Sequence, residues 1–374
     1  MRLDTVGRAF AAAVAVITAC GGTLTACGSD QNPGISSANG SAAPLPKADC
    51  SGRDALTAEG STAQQNAMAL FNQAWGQACP GKKVSYNPTG SGAGREQFIA
   101  GHVDFAGSDS PLVAEQIGPA ADRCKGNPAW DLPLVFGPIA LVYNLAGVTN
   151  LVLDADAMAK IFSGSIRTWN DPILAALNPG VALPNIKIIP VYRKDSSGTT
   201  DNFQKYLTAA APQSWSRGVG GEFHGGVGEG VERSAGVIQA VQVTPGSIGY
   251  VEKGFADRAG IPFAQIDTGN NVVPLTEETA RKAIDSVTFA ANGNDLVLDL
   301  NSIFAIQDPG AYPLVLATYE IVCSKGYPRD IGAAVKAFLT TAVHNGQTGL
   351  PSAGYVPVPD KVEERLVAAI NALQ

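Results

Sequence analysis

The fold turns on residues 55–106, ALTAEGSTAQQNAMALFNQAWGQACPGKKVSYNPTGSGAGREQFIAGHVDFA. Residues 55–58, Ala-Leu-Thr-Ala, read as a short strand. Over residues 62–79 the apolar Ala67, Leu70, Phe71, Ala74 and Trp75 recur at helical spacing on one face, and Pro80-Gly81 ends the helix. Residues 83–86, Lys-Val-Ser-Tyr, form a second strand, residues 94–100 a short helix, and residues 103–106, Val-Asp-Phe-Ala, a third strand. Strands that alternate with helices are joined by crossovers. The segment therefore predicts a parallel sheet and an α/β fold.

The same reading extends outward. Residues 134–144 are a long apolar strand. A second α/β unit follows, with a helix over 155–162, a strand over 186–192, a helix over 198–209, and a strand over 248–252 after the Thr244-Pro245-Gly246 turn. Residues 312–322 are another long strand, and helices over 331–343 and 360–372 close the chain. No internal repeat is visible. A length of 374 residues predicts roughly two domains, possibly three. With 45% hydrophobic and 16% charged residues the chain can bury a large core, which excludes global disorder. A net charge of −7 argues against nucleic acid, whose phosphates demand a basic face, but not against a small anion held by local dipoles.

Residues 1–26 read as a leader: Arg2 and Arg8 precede a short run of mostly small apolar residues. Leu24-Thr25-Ala26-Cys27 matches the lipoprotein processing box, which would leave a diacylated Cys27 as the new N-terminus. Ile17-Thr18-Ala19-Cys20 is a second, poorer match; Cys27 is preferred because the polar Gly28-Ser29-Asp30 follows it at once. Residues 27–49 would be the lipidated end and a flexible tether rich in Ser, Gly, Asn, Ala and Pro. The expected location is the extracytoplasmic face of the cell membrane. Four cysteines remain, Cys50, Cys79, Cys124 and Cys323, an even number that suggests two disulfides in an exported chain. Three pairings are possible. Cys50 with Cys79 is favoured, since both lie at one end of the first strand–helix unit; Cys124 with Cys323 is then left over. Without a Cys-x-x-Cys pair, and with His102, His224 and His344 scattered, no metal site is expected.

Three segments share a strand, a small polar turn and a helix: Gly60-Ser61-Thr62, Thr89-Gly90-Ser91-Gly92-Ala93-Gly94, and residues 193–200, Arg-Lys-Asp-Ser-Ser-Gly-Thr-Thr. The first amides of a helix have no partner and carry the positive end of the macrodipole, so small residues there admit an anion. One such turn is most often a plain helix cap. Three, one bearing an arginine, point to an oxyanion site. Asp109, just past the third strand, adds selectivity. An ionised carboxylate only accepts hydrogen bonds, so it suits a protonated anion such as phosphate and repels sulfate. Alone, Asp109 could equally be a cap before Ser110-Pro111.

These segments, in this order, resemble the substrate-binding proteins of high-affinity phosphate ABC transporters. So do residues 161–172, Ile-Phe-Ser-Gly-Ser-Ile-Arg-Thr-Trp-Asn-Asp-Pro, and residues 245–252, Pro-Gly-Ser-Ile-Gly-Tyr-Val-Glu. The resemblance spans residues 55–370, and with the lipoprotein box it looks most like the Gram-positive and mycobacterial lipid-anchored members. It implies a two-lobe periplasmic-binding-protein fold of type II, with two crossovers and the ligand in the cleft between lobes. Lobe I would be residues 50–143 plus 317–374, and lobe II residues 144–316. The implied phosphate ligands are Thr62, Ala63 through its amide, Ser91, Asp109, Arg193, Ser197, Gly198 and Thr199, with Asp195 orienting Arg193. Ala63 stands where some members have Phe. Residues 232–236, Glu-Arg-Ser-Ala-Gly, replace the family's Gly-Asn-Asp-Gly.

The resemblance further implies a monomeric binder that needs no cofactor, delivers inorganic phosphate to permease subunits with a cytoplasmic ATPase, and is not an enzyme. Two alternatives compete. A secreted phosphatase-like enzyme on the same fold would need a metal cluster or an activated His or Cys; Asp154-Ala155-Asp156 lacks the rest of a phosphatase motif, and Ser197 is not in a Gly-x-Ser-x-Gly elbow. A binder of another tetrahedral oxyanion is disfavoured by Asp109.

Overall fold

The alternation of strand and helix over residues 55–106 is realised. The computed structural model describes residues 49–305 and 308–374. The leader, Cys20, Cys27 and the tether up to residue 48 lie outside the described residues. The first half contains β1 (Ala55–Gly60), α1 (Gln65–Ala78), β2 (Lys83–Pro88), α2 (Ser91–Ile99), β3 (Phe105–Ser108), α3 (Ala114–Arg123), β4 (Ala129–Tyr143), β5 (Val152–Asp154), α4 (Ala155–Phe162) and α5 (Pro172–Leu177). There follow β6 (Ile189–Arg193), α6 (Gly198–Ala210), β7 (Glu229–Val231), α7 (Arg233–Val243), β8 (Ser247–Glu252), α8 (Lys253–Ala259), β9 (Gln265–Asp267), β10 (Val272–Val273) and α9 (Glu277–Ile284). The last elements are β11 (Thr288–Phe289), β12 (Leu298–Asp299), α10 (Asn301–Phe304), β13 (Val315–Cys323), α11 (Arg329–His344) and α12 (Asp360–Ala372).

The main sheet runs β2-β1-β3-β13-β4-β8-β6-β7. Strands β1, β2 and β3 are mutually parallel, and so are β6, β7 and β8. Between these two groups lie β13 and β4, antiparallel to each other and to their outer neighbours. Strand β4 pairs with β13 up to Pro138 and with β8 from Ile139, so one long strand carries the chain from one group to the other. Three antiparallel steps separate the groups. In a flat sheet their carboxyl ends would therefore face opposite ways. Side chains from both ends nevertheless touch, so the sheet curls over β4 and β13 and brings the two ends together.

Strands β4 and β13 are buried almost throughout, which is why each reads as an unbroken apolar run. On one side of them Phe338 packs on Trp75 and Phe105. On the other Phe203 packs on Phe162 and Tyr250. Both favoured disulfides are present, Cys50–Cys79 and Cys124–Cys323.

Several expected bounds shift. Helix α1 starts at Gln65 rather than residue 62, because residues 61–64 serve the turn after β1 instead of the helix. Helix α2 starts at Ser91 rather than residue 94: Gly90 has φ +115°, so the chain turns directly into the helix. Strand β6 begins at Ile189, not 186, and β13 at Val315, not 312, while β4 extends back to Ala129. Helices α3, α5, α7, α8, α9 and α10 were not read from the sequence; most are short or carry a polar pattern.

Candidate functional site

Each parallel group ends in polar loops, and the curl of the sheet turns these loops toward one another. The turn after β1 supplies Ser61 and Thr62, the start of α2 supplies Ser91, and the residue after β3 is Asp109. From the other group, β6 ends in Arg193, the start of α6 supplies Ser197, Gly198 and Thr199, α7 supplies Ser234 and β8 ends in Glu252. All of these side chains are buried. Ligands of α/β sheets gather at such carboxyl ends, where loops and helix N-termini meet.

Asp109 collects hydroxyls. Its Oδ1 accepts from Ser61 Oγ at 2.6 Å and from Thr318 Oγ1 at 2.7 Å, and its Oδ2 accepts from Ser91 Oγ at 3.1 Å. Ser91 Oγ also accepts the Asp109 amide at 3.0 Å. Burial pushes the Asp109 carboxyl up to about 6, and the negative charge of Glu252 adds to this, while the three hydroxyls work the other way. Asn202 on α6 donates to the Asp109 carbonyl at 2.7 Å, tying the two groups of loops together.

Arg193 is held from one side and reaches across the cleft on the other. Its guanidinium forms a two-point ion pair with Asp195, Nε to Oδ1 at 2.7 Å and Nη2 to Oδ2. Burial raises the Asp195 carboxyl, but the hydrogen bonds and charge of Arg193 outweigh it and hold Asp195 below its ordinary range. The remaining nitrogen, Nη1, reaches Thr62 Oγ1 at 3.0 Å across the cleft and Ser234 Oγ at 3.4 Å. The second turn can approach this pair because residue 90 is glycine: a Cβ there would lie 2.9 Å from Asp195 Oδ2.

The candidate phosphate ligands read from the sequence all lie in this one region. Thr62, Arg193 and Asp195 form one hydrogen-bonded chain, and Ser91 and Asp109 form another. Gly198 touches Asp109 and Ser91. Ser197 Oγ caps α6 by accepting the Thr200 amide at 3.2 Å. The Ala63 amide, expected to face the ligand, donates to Ser61 Oγ at 3.0 Å. Four residues were missed: Ser61, Thr318, Ser234 and Glu252. Segment 232–236 departs from the family pattern, yet its Ser234 joins the site, with Oγ 2.8 Å from Thr62 Oγ1 and donating to Glu252 at 2.7 Å. Among the described residues there is no group of three or more His, Cys, Asp or Glu that could hold a metal ion.

A PBP superfamily domain matches residues 41–343. Phosphate-binding protein PstS 3 of Mycobacterium tuberculosis is 48% identical over 367 residues, covering 97% of this chain and 98% of that protein. PstS 2 of the same organism is 46% identical over 366 residues. The chain belongs to the PstS family of phosphate-binding proteins. More distant PstS members remain recognisable, as in Pasteurella multocida, 31% identical over 294 residues. Among solved structures, a high-affinity periplasmic phosphate-binding protein bound with phosphate shares the PstS fold with a TM-score of 0.68 at 21% identity. It covers 84% of this chain and 93% of that one. A putative phosphate ABC transporter substrate-binding protein from Clostridium perfringens gives a TM-score of 0.59 at 17% identity, covering 82% and 100%.

Proposed function

We propose that this chain binds inorganic phosphate in the closed cleft between two lobes and delivers it to the permease of an ABC transporter, with no chemical step. The observation that carries the reading is Asp109, a buried carboxylate where the N-termini of α2 and α6 meet. Such a group opposes a fully deprotonated anion and welcomes one that carries a proton. The names of the relatives, phosphate-binding proteins all, support the same ligand. Thr62, Ser91, Arg193, Ser197, Gly198 and Thr199 would supply the donors. For Ala63 to take part, its amide must leave Ser61 Oγ.

Lobe I would hold residues 50–143 and 317–374, and lobe II residues 144–316, with β4 and β13 as the connecting strands. Hydrogen bonds between the two favour this closed form: Gly92 N to Ser196 O at 3.1 Å and Ser110 Oγ to Asp201 Oδ2 at 2.5 Å. A lipid on Cys27 would anchor the monomer outside the cytoplasm, a reading supported by the Leu24-Thr25-Ala26-Cys27 box. Calorimetric titration with phosphate, sulfate and a phosphate monoester tests the binding. Tight, phosphate-selective binding without release of phosphate from the ester is expected. Equal affinity for sulfate, or turnover of the ester, would overturn the proposal.

A further inference from the structure

A second concentration of charge lies at the other end of the strands that lead into the site. Strand β1 begins at Ala55 and reaches the site at Gly60, while β13 passes the site at Thr318 and ends at Cys323. Six residues of strand span roughly 20 Å. At the far end Cys124–Cys323 holds two loops side by side, and each loop carries a lysine: Lys125 directly after Cys124, and Lys325 two residues after Cys323. Ser324 sets their spacing, donating to the Pro128 carbonyl from its amide at 3.0 Å and from its hydroxyl at 2.6 Å. Gly326 lets the loops close up, since a Cβ there would fall 2.4 Å from the Cys124 carbonyl oxygen. Arg329, at the start of α11, forms a third corner. With Tyr327, Pro328 and Leu373 these three line a recess of about 550 Å³.

The recess is basic and uncompensated. Lys125, Lys325 and Arg329 are exposed, and among the described residues none of them has an ion-pair partner. Lys336 borders the recess too, but it is occupied with the carbonyls of Asn371 and Leu373 at the end of α12. No Asp or Glu lines the recess; Asp122 and Asp330, close by in sequence, stay outside it. In a chain of net charge −7, cations gathered in this way repel one another until an anion joins them. The start of the described chain lies at the same end. A Cβ on Gly52 would fall 2.4 Å from the Asp330 carbonyl oxygen, and Arg53 N donates to that oxygen at 3.1 Å. Cys50–Cys79 fixes the chain there, so a tether reaching Asp49 joins beside the recess.

We propose that this end docks on a membrane of anionic phospholipid, with lipid phosphates between Lys125, Lys325 and Arg329, and so holds the cleft facing away from the bilayer. The proposal rests on the lipid-anchor reading given above for its tether alone. A lipid on Cys27 would supply the local concentration, and the recess the orientation. Each Lys or Arg near an anionic surface gains about fivefold, so three favour the docked orientation by roughly a hundredfold. Salt screens this attraction. Delivery to a permease then requires release from the docked orientation.

The test is lysine footprinting. The purified protein, with its lipid, is placed on vesicles of phosphatidylcholine alone or with phosphatidylglycerol, acylated with a limiting amine reagent and read by mass spectrometry. Lys125 and Lys325 should react at least about fivefold more slowly on the anionic vesicles. So should Lys83, which lies opposite Ala55 at the same end. High salt should erase the difference. Lys194, exposed just past the end of β6, should not change. In Lys125→Glu/Lys325→Glu/Arg329→Glu, Lys83 should react equally on both vesicles, while the phosphate titration stays as in wild type. Equal reactivity of Lys125 and Lys325 on both vesicles in the wild type would overturn the proposal. So would equal protection by glycerol phosphate in solution, which would give the recess to a free anion. Wild type that washes off neutral vesicles would strike the lipid-anchor reading instead. Retention by anionic vesicles, lost in the triple variant, would then still support docking, and retention by neither would overturn it.

Discussion

Gly198 lies so close to Asp109 that a Cβ on it would fall 2.5 Å from the Asp109 Cβ and 2.7 Å from Ser91 Oγ. The first turn of α6 and the loop after β3 thus meet without room for a methyl group. Gly198→Ala should obstruct this approach. Overpacking of this kind costs about 1–3 kcal/mol, which, felt in the ion-bound state, corresponds to about a five- to 150-fold loss of phosphate affinity. Calorimetric titration measures it, and wild-type affinity would mean the loops need not meet when the ion binds.

Asp109→Asn replaces a pure acceptor by a group with one donor face. Phosphate affinity should fall modestly while sulfate gains, so the ratio of the two shrinks. The wild type should also lose affinity as pH falls through about 6, where the carboxyl of the ion-free protein takes up a proton and stops accepting. The variant should lack that acid limb. A pH series of phosphate and sulfate titrations decides it; an unaltered ratio removes Asp109 from its selective role.

Arg193→Ala takes away the cation and leaves the half-buried Asp195 beside the cleft without its ion-pair partner. Truncating one partner of a desolvated charge-assisted contact to the ion costs about 2–5 kcal/mol of binding. Phosphate affinity should therefore drop by at least about thirtyfold. Arg193→Lys should recover only part of it, because an ammonium cannot hold Asp195 at two points and still reach Thr62. Binding at wild-type strength in the alanine variant would place the guanidinium outside the machinery.

What was legible in the sequence was local. Gly60-Ser61-Thr62, the turn around Ser91, Asp109 and residues 193–200 each carry a strand–turn–helix signature that needs no knowledge of the rest of the chain. Thr318 carries none. It sits in the middle of an apolar strand, 209 residues from the carboxylate it bonds, and only the curl of the sheet makes it a neighbour. Glu252 ends a recognisable stretch, but nothing near it in sequence announces that its oxygens meet Thr199 and Ser234. The start of α2 was misjudged for a related reason. Three glycines among residues 90–94 read as a loop, whereas their lack of side chains is what lets the helix begin at Ser91 under Asp109.

The two disulfides should differ in worth. Cys124–Cys323 closes 199 residues and Cys50–Cys79 closes 29. In the chain-entropy account the longer closure restrains the unfolded chain more, about 5.3 kcal/mol against about 3.6. Cys124→Ser/Cys323→Ser should therefore lower the melting temperature more than Cys50→Ser/Cys79→Ser. Scanning calorimetry on both double variants gives the order, and the reverse order would contradict it.

Glu320 supplies the last prediction. It lies within β13, fully buried, and among the described residues neither of its oxygens has a hydrogen-bond partner. Burial pushes its carboxyl up to about 8; the nearby Gln64 side chain offsets part of this, and the Asp109 charge adds to it. In the unfolded chain a glutamate ionises at about 4.3. The folded state thus holds a proton that the unfolded state gives up between these values. By linkage, this contribution to stability is present in full at acid pH and is lost as pH rises through about 8. Glu320→Gln keeps the neutral shape at every pH. Its melting temperature should match or trail the wild type near pH 4 and exceed it increasingly from pH 6 to 9. Parallel melting curves for the two proteins would show that the carboxyl ionises in the fold as freely as in the unfolded chain.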